Sequence, residues 1–135
     1  MNNLKFENLK HLFPDKTSVN KSGRLEINNN DISDLVNEFG SPLYIYDENT
    51  IRNVAKNYLN KFKSQYENVH VSYSSKAFSN PILSQILNEE NLGIDVVSGG
   101  ELEILIRSKF PMNEVNFHGN NKSNDELIKA VQNNI

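Results

Sequence analysis

Three short strand-like runs, each followed by a helical stripe, constrain the fold of this chain more than any other feature. They are Val69 to Phe78, Ile94 to Val97 and Val115 to His118, rich in β-branched and aromatic residues. Ile82, Leu83, Ile86 and Leu87 mark the helix after the first run, Leu102, Leu105 and Ile106 the second, and Leu127, Ile128 and Val131 the third. The strands recur roughly every 20–23 residues, the length of a compact βα unit. Right-handed crossovers of that length lay successive strands parallel, which defines an α/β fold of about three βα units. All strand carboxyl ends then share one rim, where Lys76, the stretch from Asp95 to Ser98, and His118 fall together.

The chain before this pattern is less regular. Residues 1–16 show no dependable period and read as a mobile leader. Thr17 to Ile27, with Ser22-Gly23 as punctuation, predicts a small β-hairpin. The run Asn28-Asn29-Asn30 reads as compositional bias, because apolar periodicity continues around it. Asp31 is placed to cap a helix carrying Ile32, Leu35, Val36 and Phe39, which Gly40 and Pro42 close. Leu43 to Tyr46 reads as a further strand. Asp47 caps the next helix, whose stripe is Ile51, Val54, Ala55, Tyr58, Leu59 and Phe62.

Bulk properties exclude several classes. At 135 residues the chain is long enough for one modest core. Its formal net charge of −3, with both signs interspersed, leaves no basic footprint for nucleic acid. Without cysteine there is no disulfide framework or thiolate chemistry, and no His, Asp and Glu spacing suggests a metal site. The absence of a long apolar run argues against a membrane span or signal peptide, so the cytoplasm is the expected location.

Each candidate site residue has a structural alternative. A lysine at a strand end can lose its proton by desolvation and attack a carbonyl, as a Schiff-base former does. It can equally extend its ammonium into water. Ser98 with Glu101, and Ser123 with Glu126, have the spacing of capping boxes. Gly99-Gly100 at a helix start also permits close approach of an anion. His118 is either hydrogen-bonded structure or an acid–base group. Gly119 permits a tight turn that would aim Asn120, Asn121 and Lys122 at the same rim.

Four stretches, taken together, resemble the N-terminal part of the diaminopimelate decarboxylase family. They are Gly40 to Asp47, Tyr73 to Phe78, Gly93 to Leu102 and Phe117 to Ser123, in the family's order. The resemblance implies the N-terminal part of a (β/α)8 TIM barrel of the alanine racemase type, with residues 41–135 as a partial cofactor-binding domain. Residues 1–40 would hold the leader, hairpin and short helix that normally join a C-terminal β-domain. It further implies pyridoxal 5′-phosphate (PLP) attached at Lys76, and decarboxylation of meso-2,6-diaminopimelate to L-lysine and carbon dioxide. Asp95 matches a catalytic and cofactor-binding aspartate, Glu101 a carboxylate near the same site, and His118 lies in a cofactor-side segment without being the ring-stacking histidine. For Glu101 the helix-capping role stays open. The common family form Tyr-Ala-Val-Lys-Ala-Asn is departed from at Ser74, Ser75 and Phe78. A homodimer and a small amino-acid substrate are the implied partners. A whole barrel needs about 250 residues, so the resemblance covers a fragment, expected to be inactive alone. A catalytically silent PLP-binding or partner-binding relative, and another decarboxylase of the same barrel family, remain competing readings.

Overall fold

The computed structural model describes residues 3–135, with side chains from residue 6 onward; Met1 and Asn2 of the expected leader lie outside it. The chain divides into two units, Met1–Asn53 and Val54–Ile135.

The first unit corrects the reading of a leader without structure. Helix α1 spans Asn3–Leu9, and a 3-10 turn follows over Lys10–Leu12. Phe6 is buried and its ring lies 5.7 Å from that of Phe13. One anchored aromatic pair fixes this segment, too little to register as a period. The expected hairpin is present as β1 (Thr17–Val19) antiparallel to β2 (Leu25–Ile27). A third strand, β3 (Asn30–Asp31), pairs with β2. The turn between β2 and β3 places Asn28 and Asn29 in the left-handed region, with φ of 49° and 65°. Asparagine tolerates that conformation better than most residues, so this asparagine pair is turn chemistry rather than compositional bias.

Asp31 caps helix α2 (Ile32–Phe39) by accepting a hydrogen bond from Ser33 N at 2.8 Å. Gly40 closes it with φ +85°, its N–H donating to Val36 O. The strand expected at Leu43–Tyr46 does not form: residues 43–47 carry no regular secondary structure, and Tyr44 and Tyr46 are exposed. Strand propensity describes fit to a pleated sheet, and it specifies little where no partner ladder is made. Asp47 then caps helix α3 (Glu48–Lys63), its Oδ2 accepting from Thr50 N and Thr50 Oγ1.

The second unit holds the parallel sheet. Its strands are β4 (Ser72–Ser74), β5 (Gly93–Val96) and β6 (Val115–Phe117), in that spatial order. Helices α4 (Pro81–Glu89), α5 (Gly99–Arg107) and α6 (Asn124–Gln132) follow one strand each. Tyr73, Ile94 and Val115 stand in register, as do Val96 and Phe117. Ile94, Val96 and Val115 are buried with Leu83, Ile86 and Leu87 of α4 and Leu102 and Leu105 of α5. The alternate positions are polar: Ser74, Asp95 and Asn116 align across all three strands. Since successive side chains point to opposite faces, the sheet has one apolar, helix-covered face and one polar face. Among the described residues no helix is long and apolar enough to cross a membrane.

Candidate active site

Parallel register brings the three carboxyl ends to one rim, as the spacing implied. The residues there are Ser75–Ala77 after β4, Val97–Gly99 after β5, and His118–Asn120 after β6. His118 N donates to Val96 O at 3.0 Å, which extends the β5–β6 ladder one residue past the strand.

Lys76 does not lie in the strand. β4 ends at Ser74, and Lys76 sits in the 3-10 turn Ser75–Ala77, with its side chain exposed. Two side-chain bonds hold this turn. Tyr73 Oη donates to Phe78 O at 3.0 Å, spanning it, and Ser75 Oγ donates to Glu101 Oε2 at 2.6 Å. Ser75 itself is buried, at 3% exposure, beside an exposed lysine. The amine is thus carried on a held backbone while its tip stays reachable.

Glu101 departs from the expected capping box. Ser98 Oγ accepts from Glu101 N, which is half of that motif. The carboxylate, however, accepts from Val97 N at 2.7 Å instead of from Ser98 N, and from Ser75 on the same oxygen. Ser98 caps α5, while the Glu101 carboxylate ties the segment before the helix to the lysine turn. The complete capping box occurs at α6, between Ser123 and Glu126.

Glu126 also alters the reading of Gly99-Gly100 as a free anion cradle. Its Oε1 accepts from Gly99 N at 2.7 Å, so the first amide of α5 already faces a carboxylate. Backbone bonds from Ser123 and Gly99 hold the Glu126 carboxyl below its ordinary pKa. A Cβ on Gly99 would come within 2.9 Å of Glu126 Cγ, which is why this contact needs a glycine.

Asp95 is half-buried on the polar face, where Oδ1 accepts from Asn116 Nδ2 at 3.0 Å. Asn116 Nδ2 also lies 3.4 Å from Ser72 Oγ, joining all three strands by polar side chains. His118 is exposed at the rim. Gly119, with φ +119°, lets the chain fold back so that Lys122 Nζ donates to Gly119 O at 2.7 Å, which leaves the ammonium engaged at the rim. The same ammonium lies 4.7 Å over the Phe117 ring.

The structure therefore joins Ser75, Glu101 and Val97 in one cluster, and Asp95, Asn116 and Ser72 in another. Lys76 and His118 stand on the rim beside them. Ser75 and Asn116 were not singled out from sequence. Asn116 occupies the polar alternate position of its strand, a signal present in the residues. Ser75 showed only as a departure from the family form.

Comparison with known proteins identifies the class. Residues 51–135 match the family described as pyridoxal-dependent decarboxylase, pyridoxal binding domain, and the chain belongs to that family. The curated relatives it matches include diaminopimelate decarboxylases. That of Bacillus methanolicus is 43% identical over 123 residues, covering 91% of this chain and 28% of the relative. The Bacillus subtilis enzyme is 44% identical over 116 residues, covering 86% of this chain and 26% of the relative. Among solved structures, diaminopimelate decarboxylase from M. jannaschii in complex with L-lysine superposes with a TM-score of 0.78 at 31% identity, covering 90% of this chain and 29% of that one. The chain spans less than a third of the length of these proteins.

The family's group is pyridoxal 5′-phosphate, and the residues present fit part of it. An exposed amine on a held turn suits covalent attachment, and Ser72, Asp95 and Asn116 on the sheet face offer hydrogen-bonding groups that would orient the polar substituents of such a ring. Of the Gly99-Gly100 pair at the start of α5, the Gly99 amide is taken by Glu126.

Proposed function

We propose that this chain supplies the lysine-bearing N-terminal part of a diaminopimelate decarboxylase, which converts meso-2,6-diaminopimelate to L-lysine and carbon dioxide in the cytoplasm. The further length of the relatives would complete a (β/α)8 barrel and a homodimer. The observation that carries this reading is the position of Lys76, exposed on a hydrogen-bonded turn at the carboxyl rim of a parallel sheet.

When bound, pyridoxal 5′-phosphate supplies the electron sink for the bond that breaks as carbon dioxide leaves. Lys76 would attach the group covalently, yield that position to the substrate amine, and then hold a proton near the carbon that lost its carboxylate. Asp95 would present negative charge from the sheet face, oriented by the Asn116 amide. Glu101 would fix the lysine turn, and His118 would line the rim.

The test is a chimera in which residues 1–135 replace the matching part of the Bacillus subtilis enzyme. Lysine formation from diaminopimelate is expected, and Lys76→Ala should abolish it while the protein stays folded. Undiminished turnover by Lys76→Ala would remove the assignment.

A further inference from the structure

We infer that Ser75 is a positioning residue for Lys76, acting through Glu101. This deepens the proposed function and rests on its assignment of Lys76.

Four observations support it. Ser75 immediately precedes Lys76, yet their environments are opposite: the serine is buried and the lysine exposed. A buried hydroxyl needs a partner, and the Ser75 hydroxyl donates at 2.6 Å to the Glu101 carboxylate, a charge-assisted bond of the stronger kind. That carboxylate is itself fixed, because Val97 N donates to the same oxygen at 2.7 Å and Glu101 begins a regular helix. Val97 follows the strand that carries Asp95. Beside the direct β4–β5 ladder, two short hydrogen bonds therefore join the lysine turn to the exit of the aspartate strand.

The consequence is geometric. A lysine side chain has four rotatable bonds, so the direction of its amine is only as well defined as the backbone that bears it. The Tyr73–Phe78 bond spans the turn from strand β4 to its exit. The β4–β5 ladder brings Ser74 opposite Asp95, and the Ser75–Glu101 bond carries that registration past the strand end, tying the turn to the β5–α5 junction. An apolar residue at position 75, as in the common family form, could fill the space without making this bond. The hydroxyl at 75 and the carboxylate at 101 work as a pair.

Two measurements on the 135-residue chain test this. Without any added aldehyde, amide hydrogen exchange is followed across Tyr73–Phe78 in the parent chain, Ser75→Ala, Ser75→Thr, Glu101→Ala and the Ser75→Ala/Glu101→Ala double variant. Exchange at residues 75–77 should accelerate about tenfold in Ser75→Ala, the size expected when a charge-assisted bond is lost. Threonine should restore it, and Ser75→Ala should add nothing in the Glu101→Ala background. Amides of Leu87 and Leu102 should not change. Next, pyridoxal 5′-phosphate and borohydride are added, and the label on each lysine is quantified by peptide mass spectrometry. Lys76 should take a larger share than Lys63 in the parent chain, lose that advantage in Ser75→Ala and regain it in Ser75→Thr.

Unchanged exchange in Ser75→Ala, or a full Ser75→Ala effect in the Glu101→Ala background, overturns the inference. So does faster exchange with an unchanged Lys76 share, since the turn would then be held without aiming the amine. A parent chain in which Lys76 takes no more label than Lys63 defeats the assignment of Lys76, and this inference with it. That failure is visible before any variant of Ser75 is made.

Discussion

Asp95 and Glu101 are carboxylates six positions apart, and the structure uses them differently. Glu101 accepts hydrogen bonds from a buried hydroxyl and a backbone amide, whereas Asp95 accepts one from the exposed Asn116 amide. Glu101→Ala strands both donors, so it should cost about 1–3 kcal/mol of stability. Asp95→Asn keeps an oxygen for Asn116 and should change stability by less than about 1 kcal/mol. In the chimera, Asp95→Asn should nevertheless lower turnover by about a hundredfold, through loss of charge beside the reacting group. Thermal melts and lysine formation check both statements; equal melting temperatures for the two variants would contradict the first. Lys76 and Asp95 stood out in the sequence by their places in strand-like runs and Glu101 by its spacing from Ser98, while the roles expected of them came from the family resemblance. The bond from Ser75 to Glu101 was not legible there, since it joins residues separated by 26 positions and no local period encodes it. The expected capping box failed for the same reason: a distant donor competes for the carboxylate.

Helix and strand identities were legible wherever a stripe met a cap. Asp31, Asp47, Asn80, Ser98 and Ser123 each accept from an amide at a helix start, and four of the five were expected to stand there or open the helix. Leu43–Tyr46 was misread because β propensity carries no information about whether a partner strand is present. Two glycines give a graded prediction at this scale. A Cβ on Gly93 would meet His70 Nε2 at 2.5 Å and the Glu114 backbone oxygen at 2.7 Å. The side chain can move, but the backbone of the neighbouring segment cannot do so cheaply, so Gly93→Ala should destabilise by about 1–3 kcal/mol. Gly99→Ala meets only the flexible Glu126 side chain and should cost less, about 1 kcal/mol for the displaced hydrogen bond. Denaturant titration of both variants orders them.

Helices α5 and α6 are also joined electrostatically. Glu103 accepts from Lys129 of α6 and Arg107 of its own helix, and these bonds lower its pKa to about 2. A folded-state pKa below the unfolded value gives stability that is present above the ordinary carboxylate range. It is lost as pH falls from about 4.5 towards about 2. Glu103→Gln should therefore flatten the acid limb of stability between those values, with little change in its slope above pH 5. Circular dichroism against pH reads this directly, and an unaltered acid limb would show that Glu103 contributes nothing to it.

At the scale of the whole molecule, the described residues supply an anchor lysine and a polar sheet face, while the Gly99 amide is engaged by Glu126. The 135-residue chain, given pyridoxal 5′-phosphate and diaminopimelate, should release no more carbon dioxide than its Lys76→Ala variant. Turnover above that control would mean that the parts present suffice. Helix α3 and its exit expose Tyr58, Phe62 and Tyr66, at 59%, 50% and 66%, so the chain should bind an apolar fluorescent dye more strongly than a closed globular domain of its size. The parallel sheet carries one more consequence, for the order of assembly. β4, β5 and β6 are neighbours in space in the same order as in sequence, each pair joined by a single helix. Both ladders of this sheet are therefore closed by a segment of nearly the same short length. Loop-closure entropy favours such local growth. As the chain leaves the ribosome, each new strand meets an edge already laid down, and the sheet lengthens one strand at a time from its amino-terminal side.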